Sequence, residues 1–333
     1  MESTNKEAPM AVRVWIDAAG GPDALRLEEI QPEAPGAGQV WLAQEAIGVN
    51  PLDVSQRKGA VAIPFPSGLG LEGAGRVVAV GPGVANVAVG DRVGYATGPL
   101  GAYASARLFP SERLVQLPDA LGMDEAAAVL FKGITAQYLL KTTYPVAPGT
   151  RVLIYGAAGG LGQLMCAWAR HLGAFVVGVV SRPESVERAR AAGCDAVFVF
   201  DPATLPAQVL EATQGHKADV VYDPIGRATL AASLDSLRPR GLLVSFGATS
   251  GVPAPIDVGT LNAKGSLFLT RPSLAAHTAT AAEYQERAQD VLQAVAAGII
   301  VPRIGRRYAL AEVGTAHADL EQGRSQGAII LTP

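Results

Sequence analysis

Val152-Leu153-Ile154-Tyr155-Gly156-Ala157-Ala158-Gly159-Gly160-Leu161-Gly162 opens as an apolar run of strand length and closes in a glycine-rich turn. In the stretch that follows, Leu161, Leu164, Met165, Trp168 and Leu172 recur at helical spacing, and Gly173 is placed to end the helix. Phe175-Val176-Val177-Gly178-Val179-Val180 then reads as a second buried strand, leading to Ser181-Arg182. Strand, turn, helix and strand make the βαβ unit that binds dinucleotides at its first turn. Gly159 lets the backbone approach a pyrophosphate, Gly162 lets the helix pack against the strand, and the N–H groups at the helix start meet the phosphates. The usual G-x-G-x-x-G has Ala157 at its first glycine here. A glycine-rich turn without ligand is the competing reading.

The residues after the second strand bear on the choice of cofactor. A fold that holds NAD places an acidic side chain about 20 residues beyond the glycines, where it bonds the ribose 2′-hydroxyl. Ser181 and Arg182 occupy that place in this chain. A carboxylate would repel a 2′-phosphate, whereas a guanidinium pairs with one bidentately and a hydroxyl donates to it. The expected cofactor is NADPH rather than NADH, with a solvated surface arginine as the alternative.

The 333 residues, 49% hydrophobic and 17% charged, suffice for two globular domains with cores of their own. A net charge of -3 gives no general attraction to nucleic acid or an anionic membrane, so neither is an expected partner. Cys166 and Cys194, the only cysteines, fall inside the apolar βαβ pattern, where reduced core thiols are expected rather than a disulfide or metal site. Residues 1–9 are polar and read as a flexible extension without the apolar stretch of a secretory signal, and no run reaches membrane-spanning length. A reducing, cytoplasmic location is the expectation.

From Ala11 to about Ala120, short β-like runs alternate with Gly and Pro turns: 11–16, 25–30, 39–46, 75–80, 92–95 and 113–117. Helical character begins near Asp124. Beyond Arg182 the α/β alternation continues, with further strands expected over 196–200, 219–222, 242–246 and 266–269, which brings the total after Val152 to six. The pattern predicts an α/β protein, with a Rossmann-type doubly wound parallel sheet over residues 126–272 and a β-rich, partly closed barrel over residues 1–125 and 273–333. Ser266-Leu267-Phe268-Leu269 would lie at a sheet edge, where pairing with a second copy gives a homodimer with a continuous sheet.

Several motifs add to this order of parts: Ala46-Ile47-Gly48-Val49-Asn50-Pro51-Leu52-Asp53, Pro66-Ser67-Gly68-Leu69-Gly70-Leu71-Glu72-Gly73-Ala74-Gly75, Lys132-Gly133-Ile134-Thr135-Ala136, Val220-Val221-Tyr222-Asp223, Val244-Ser245-Phe246-Gly247, and Thr270-Arg271-Pro272-Ser273-Leu274. Together they resemble the medium-chain dehydrogenase/reductase superfamily, and within it the zinc-free quinone oxidoreductases related to zeta-crystallin. The resemblance implies a GroES-like catalytic domain, bound NADPH, and hydride transfer to a small molecule. It implies Asn50, Asp53 and Lys132 as catalytic residues. Asn50 and Asp53 would lie on a loop at the nicotinamide end of a cleft, with Asn50 bonding the nicotinamide ribose or the substrate oxygen. The Asn-Pro-x-Asp string also reads as turn chemistry alone, and Lys132 either contacts the nicotinamide ribose or is an exposed helix-start lysine. Cofactor binding is further implied for Thr135, Ala158, Gly159, Gly160, Leu161, Ser181, Arg182, Phe200, Phe246, Gly247, Ala248, Leu269 and Arg324, with Tyr95 and Arg271 as weaker candidates for lining the cleft.

In zinc-dependent members of the superfamily the catalytic metal ligands fall at positions resembling Asn50, Leu71 and Lys132. Leucine has no donor atom and lysine arrives protonated, so no metal is expected. Three departures matter: Ser55 stands where many relatives carry Tyr, Phe200 where they often have Tyr, and Ser185 where they often have Lys, with Arg182 as the compensation for the last two. Without a Lewis acid, the expected acceptor is one that already delocalises negative charge. The readings are therefore an NADPH-dependent quinone reductase, an NADPH-dependent reductase of an enone or alkenal double bond, and a cofactor-binding structural or RNA-binding protein.

Overall fold

The computed structural model describes residues 10–333, and the extension expected over residues 1–9 lies outside them. The chain forms two compact units, one of Met1–Phe131, Tyr284–Leu292 and Pro302–Pro333, the other of Lys132–Glu283 and Gln293–Val301.

The first unit begins with strands β1 (Ala11–Ile16), β2 (Arg26–Ile30) and β3 (Gln39–Val49), helix α1 (Pro51–Arg57), then β4 (Ser67–Gly68), β5 (Glu72–Val80), β6 (Arg92–Ala96), β7 (Ala106–Pro110) and β8 (Val115–Gln116). Helix α2 (Met123–Tyr138) leads into the second unit. That unit holds β9 (Arg151–Tyr155), α3 (Gly160–His171), β10 (Phe175–Val180), α4 (Val186–Ala191), β11 (Ala196–Val199), α5 (Leu205–Ala212), β12 (Ala218–Asp223), α6 (Leu230–Asp235), β13 (Leu237–Ser245), α7 (Val258–Ala263) and β14 (Phe268–Thr270). Helix α8 (Ala281–Ala296), β15 (Ile304–Ala309), α9 (Val313–Glu321) and β16 (Ala328–Thr332) complete the chain.

In the second unit six parallel strands run in the order β11-β10-β9-β12-β13-β14. Helices cover both faces of such a sheet, so its central strands lose the period-2 alternation. Accordingly β12 is buried at every residue and β9 at all but Arg151. Leu153, Val177, Val221 and Leu243 share one core with Leu205 and Leu234 from the helices. Because strand order reverses between β9 and β12, a topological switch point opens at their carboxyl ends.

In the first unit β3 is the spine. It pairs antiparallel with β5 from Val40 to Gly48, with β7 over its first half, and with β16 at its end. Register shifts at Trp41/Leu42 and Gln44/Ala46 bend it. A separate sheet runs β2-β1-β4. The larger sheet's hydrogen-bonded path ends at β15 and β8 without joining, so the unit is β-rich and open, not a closed barrel. Strand β7 falls outside the β-like runs that the sequence shows. Among the described residues no helix is long and apolar enough to cross a membrane.

Candidate active site

At the switch point of the second unit, the chain leaving β9 turns at Gly156, whose φ of +66° suits glycine. Gly159 N–H closes the turn on Gly156 O at 2.8 Å. The residue that needs a left-handed backbone is therefore Gly156, one position before Ala157, which explains how the motif tolerates an alanine at its first glycine. Gly159 is the N-cap of α3 and supplies no side chain to occupy the donors of the first turn. A Cβ on Gly162 would stand 2.1 Å from Gly156 O, so only glycine lets the helix begin against the turn. Gln163 Nε2 donates back to Ala158 O at 3.0 Å and braces the loop. Ala158, Gly159, Gly160 and Leu161 thus form a glycine-backed helix start with open N–H groups, a cradle that fits a pyrophosphate.

Ser181 and Arg182 leave the end of β10, both exposed. Arg182 Nε lies 3.4 Å from Glu184 Oε1, a solvent-exposed pair that is weak and readily exchanged for a phosphate. Arg188, which sequence reasoning passed over, brings a second guanidinium to this stretch, its Nη2 donating to Ser185 Oγ at 3.5 Å. The spacing of i and i+3 was the available signal. Phe200 follows β11 and meets Tyr155 edge-on, with ring centroids 5.8 Å apart.

Beyond β13, Phe246-Gly247-Ala248 folds against the loop that follows β12. Phe246 N–H donates to Asp223 O at 3.0 Å, and a Cβ on Gly247 would come 2.4 Å from Pro224 O. Buried Asp223 anchors that loop by accepting from Ile225 N at 2.8 Å, Gly226 N at 3.1 Å, Thr229 Oγ1 at 2.7 Å and Ser233 Oγ at 2.8 Å. Arg271, just past β14, reaches Ser245 O and Gly247 O at 3.4 Å. Leu269, within β14, is 41% exposed. The residues expected after β9, β10, β11 and β13 all emerge at the carboxyl ends of parallel strands, on one edge of the sheet. Lys132 and Thr135 lie one turn apart on α2 and share a face.

In the first unit, Asn50 and Asp53 are not on a loop. Asn50 is the N-cap of α1, Pro51 its first residue and Asp53 its third. Proline's fixed φ and missing N–H suit that first position, and a carboxylate at the third can reach back to the cap. Asp53 Oδ2 does so, accepting from Asn50 N–H at 2.8 Å and from Tyr103 OH at 2.8 Å. Both Asn50 and Asp53 are fully buried. Asp53 therefore shapes the turn, and its expected catalytic part has a structural one beside it. Asn50 Nδ2 donates to Glu72 Oε2 at 2.9 Å, and Glu72, also fully buried, was overlooked in the sequence. Ser55 turns its hydroxyl onto Pro51 O at 3.0 Å. Tyr95 is buried, and its hydroxyl donates to Gln44 Oε1 at 2.6 Å.

A buried chain of partners continues from Asp53. Since a carboxylate only accepts, Tyr103 OH donates to Asp53, and His317 Nε2–H then donates to Tyr103 at 2.9 Å. That leaves His317 Nδ1 as the acceptor facing Arg57 Nη1 at 3.4 Å. A neutral ring is what this arrangement needs. Burial and then the Arg57 charge push His317 down to about 3, and burial with Asp53 alongside pushes Tyr103 well above its ordinary value. Arg57 itself pairs with Glu321. Arg324 also belongs to this unit, where its Nε donates to Asp319 Oδ1 at 2.8 Å. Hydrogen bonds from Tyr308 and Arg324 hold the Asp319 carboxyl below the usual carboxylate range. Among the described residues, no group of three or more His, Cys, Asp or Glu could hold a metal ion.

A doubly wound nucleotide unit with a glycine cradle, joined to a β-rich unit built on β3, defines a medium-chain dehydrogenase/reductase. Residues 36–119 match the alcohol dehydrogenase GroES-like domain and residues 160–296 the zinc-binding dehydrogenase family. The chain is 44% identical to a quinone oxidoreductase of Pseudomonas aeruginosa, over 97% of this chain and 100% of that protein. It is 43% identical to a 2-haloacrylate reductase of Burkholderia sp., over 97% of this chain and 99% of that one. The crystal structure of the Escherichia coli quinone oxidoreductase complexed with NADPH superposes with a TM-score of 0.92 at 39% identity, over 97% of this chain and 100% of that one. The chain belongs to the zinc-free quinone oxidoreductases of this superfamily.

Proposed function

We propose that this chain is an NADPH-dependent quinone oxidoreductase. The observation that carries the reading is the uncapped, glycine-backed start of α3 at the switch point, with Ser181 and Arg182 at the end of the neighbouring strand. When bound, NADPH supplies a hydride from C4 of its nicotinamide. The chain's part is to bind and orient. The first-turn N–H groups of α3 take the pyrophosphate, and Arg182 with Ser181 takes the 2′-phosphate. With Leu71 at a position that resembles a metal ligand in zinc-dependent relatives, the donor set suits an acceptor that spreads its own negative charge, and a quinone is one. Titrating the protein with NADPH while following nicotinamide fluorescence, then assaying 1,4-benzoquinone, tests this. Binding with turnover is expected, and unaltered fluorescence would end the proposal.

The kinship to a 2-haloacrylate reductase supports a second reading, reduction of a double bond conjugated to a carbonyl. Ser55 turns its hydroxyl onto Pro51 O and favours neither acceptor class. Turnover of 1,4-benzoquinone, 9,10-phenanthrenequinone and a short alkenal measured side by side ranks the two. For assembly we propose a homodimer through β14. For location we propose the cytoplasm, in keeping with two buried cysteines that stay free with sulfurs 3.3 Å apart.

A further inference from the structure

Gln163, in the first turn of α3, is 6% exposed, and the two ends of its amide are served differently. Nε2 donates to Ala158 O at 3.0 Å and, more weakly, to Gly159 O at 3.4 Å. Both partners are carbonyl oxygens, so the NH₂ must face them and Oε1 must face away. Oε1 is buried and meets no donor among the described residues. A buried acceptor without a donor is costly, and an apolar side chain of the same length would avoid that cost, so the amide asks for a compensating use.

That use follows from the planarity of the peptide. In a trans peptide the C=O and the next residue's N–H point in opposite directions. With Ala158 O drawn back to the amide, Gly159 N–H is turned to the other side, where it closes the turn on Gly156 O at 2.8 Å. Gly159 O is held twice, by the amide and by the backbone N–H of Gln163 at 3.0 Å, so Gly160 N–H points out of the helix start. The same pull keeps two carbonyl oxygens from turning toward an arriving anion. We propose that Gln163 is a positioning residue that holds the glycine cradle in its anion-binding shape before the pyrophosphate arrives, at some loss of fold stability. The assignment rests on the reading of this chain as an NADPH enzyme and names a side chain that prepares the site without touching the cofactor.

Gln163→Met keeps the length of the side chain and removes both polar ends. Ala158 is half-buried and Gly159 exposed, so water takes the place of the lost NH₂, and the buried acceptor is gone. Without ligand, the melting temperature of Q163M should therefore equal or exceed the parent's. In calorimetric titration NADPH should nonetheless bind about tenfold more weakly, the equivalent of roughly one hydrogen bond. Its KM should rise with kcat unchanged, as when an interaction common to the ground and transition states is lost. 2′-AMP, which carries the 2′-phosphate and no pyrophosphate, should bind variant and parent alike.

Equal NADPH affinity in the parent and Q163M overturns the proposal. So does a lowered melting temperature, or a variant that does not fold, since either makes Gln163 a support of the fold itself. Parallel loss of 2′-AMP affinity overturns it too, because the disturbance would then extend beyond the cradle. A parent protein that does not bind NADPH at all would instead remove the functional reading beneath it.

Discussion

Arg182 stands exposed just past β10 with only a weak 3.4 Å partner in Glu184, so its replacement leaves the core intact. A charge-assisted pair with a phosphate contributes about 1.5–3 kcal/mol. Arg182→Ala should therefore raise the KM for NADPH about 10- to 100-fold while changing that for NADH less than about threefold. Equal effects on both cofactors, in steady-state kinetics with one quinone, would remove Arg182 from 2′-phosphate recognition. Such a residue is legible in sequence because its meaning comes from a motif a few positions away. Gly159 and Gly162 are legible for the same reason, since what they offer is the absence of a Cβ. Glu72 was not. Its partners lie 22 and 59 residues away, and distance along the chain hides them. The trace it left was a lone carboxylate among small residues, Glu72-Gly73-Ala74-Gly75, where a solvated strand would alternate.

Helices α1 and α9 are tied by charges that cross-link distant segments, with Arg57 of α1 bonded to both His317 and Glu321 of α9. The Asn-Pro-x-Asp string was open to reading as a loop because a helix of seven residues has too few turns for an apolar stripe to appear. Its start signals, Pro at the first position and Asp at the third, were present but went unread. The tie between the helices has a pH signature. His317 is held at about 3 against an ordinary 6.5 in the unfolded chain. Its folded pKa is depressed, so the stability it contributes is fully present above 6.5 and drains away as pH falls toward 3. Between pH 7 and pH 5 the loss is about 2 kcal/mol. Asp319 and Glu321 are also lowered, the first by Tyr308 and Arg324, the second, against the upward push of burial, by Lys58 and Arg57. Their stability losses begin only below ordinary carboxylate values, under this window. Urea unfolding at the two pH values should show the drop in the parent and a much smaller one in His317→Gln, and equal drops in both would contradict it.

At the scale of the whole chain, the six-stranded sheet was readable in advance because each of its strands is an apolar run bounded by turn residues. Its order, β11-β10-β9-β12-β13-β14, reverses once beside β9, and right-handed crossovers on the two sides of that reversal cover opposite faces. The β-rich unit was less readable. Its spine β3 bonds three different strands along its length, and such long-range pairing leaves no local pattern. The two edges of the parallel sheet differ in what they expose. On β11 the most exposed apolar side chain is Val199 at 36%, whereas β14 presents Phe268 at 59% and Leu269 at 41% in three residues. An apolar edge with open N–H and C=O groups invites pairing with its own two-fold copy, which would extend the sheet across a dimer. A lysine on that edge cannot be buried without cost, so Phe268→Lys should give a monomer where the parent gives twice the chain mass in light scattering at micromolar concentration. The nucleotide cradle hangs from β9 and β10, so NADPH affinity should survive the change. A parent protein already monomeric, or a Phe268→Lys protein that stays dimeric, would move the interface away from β14.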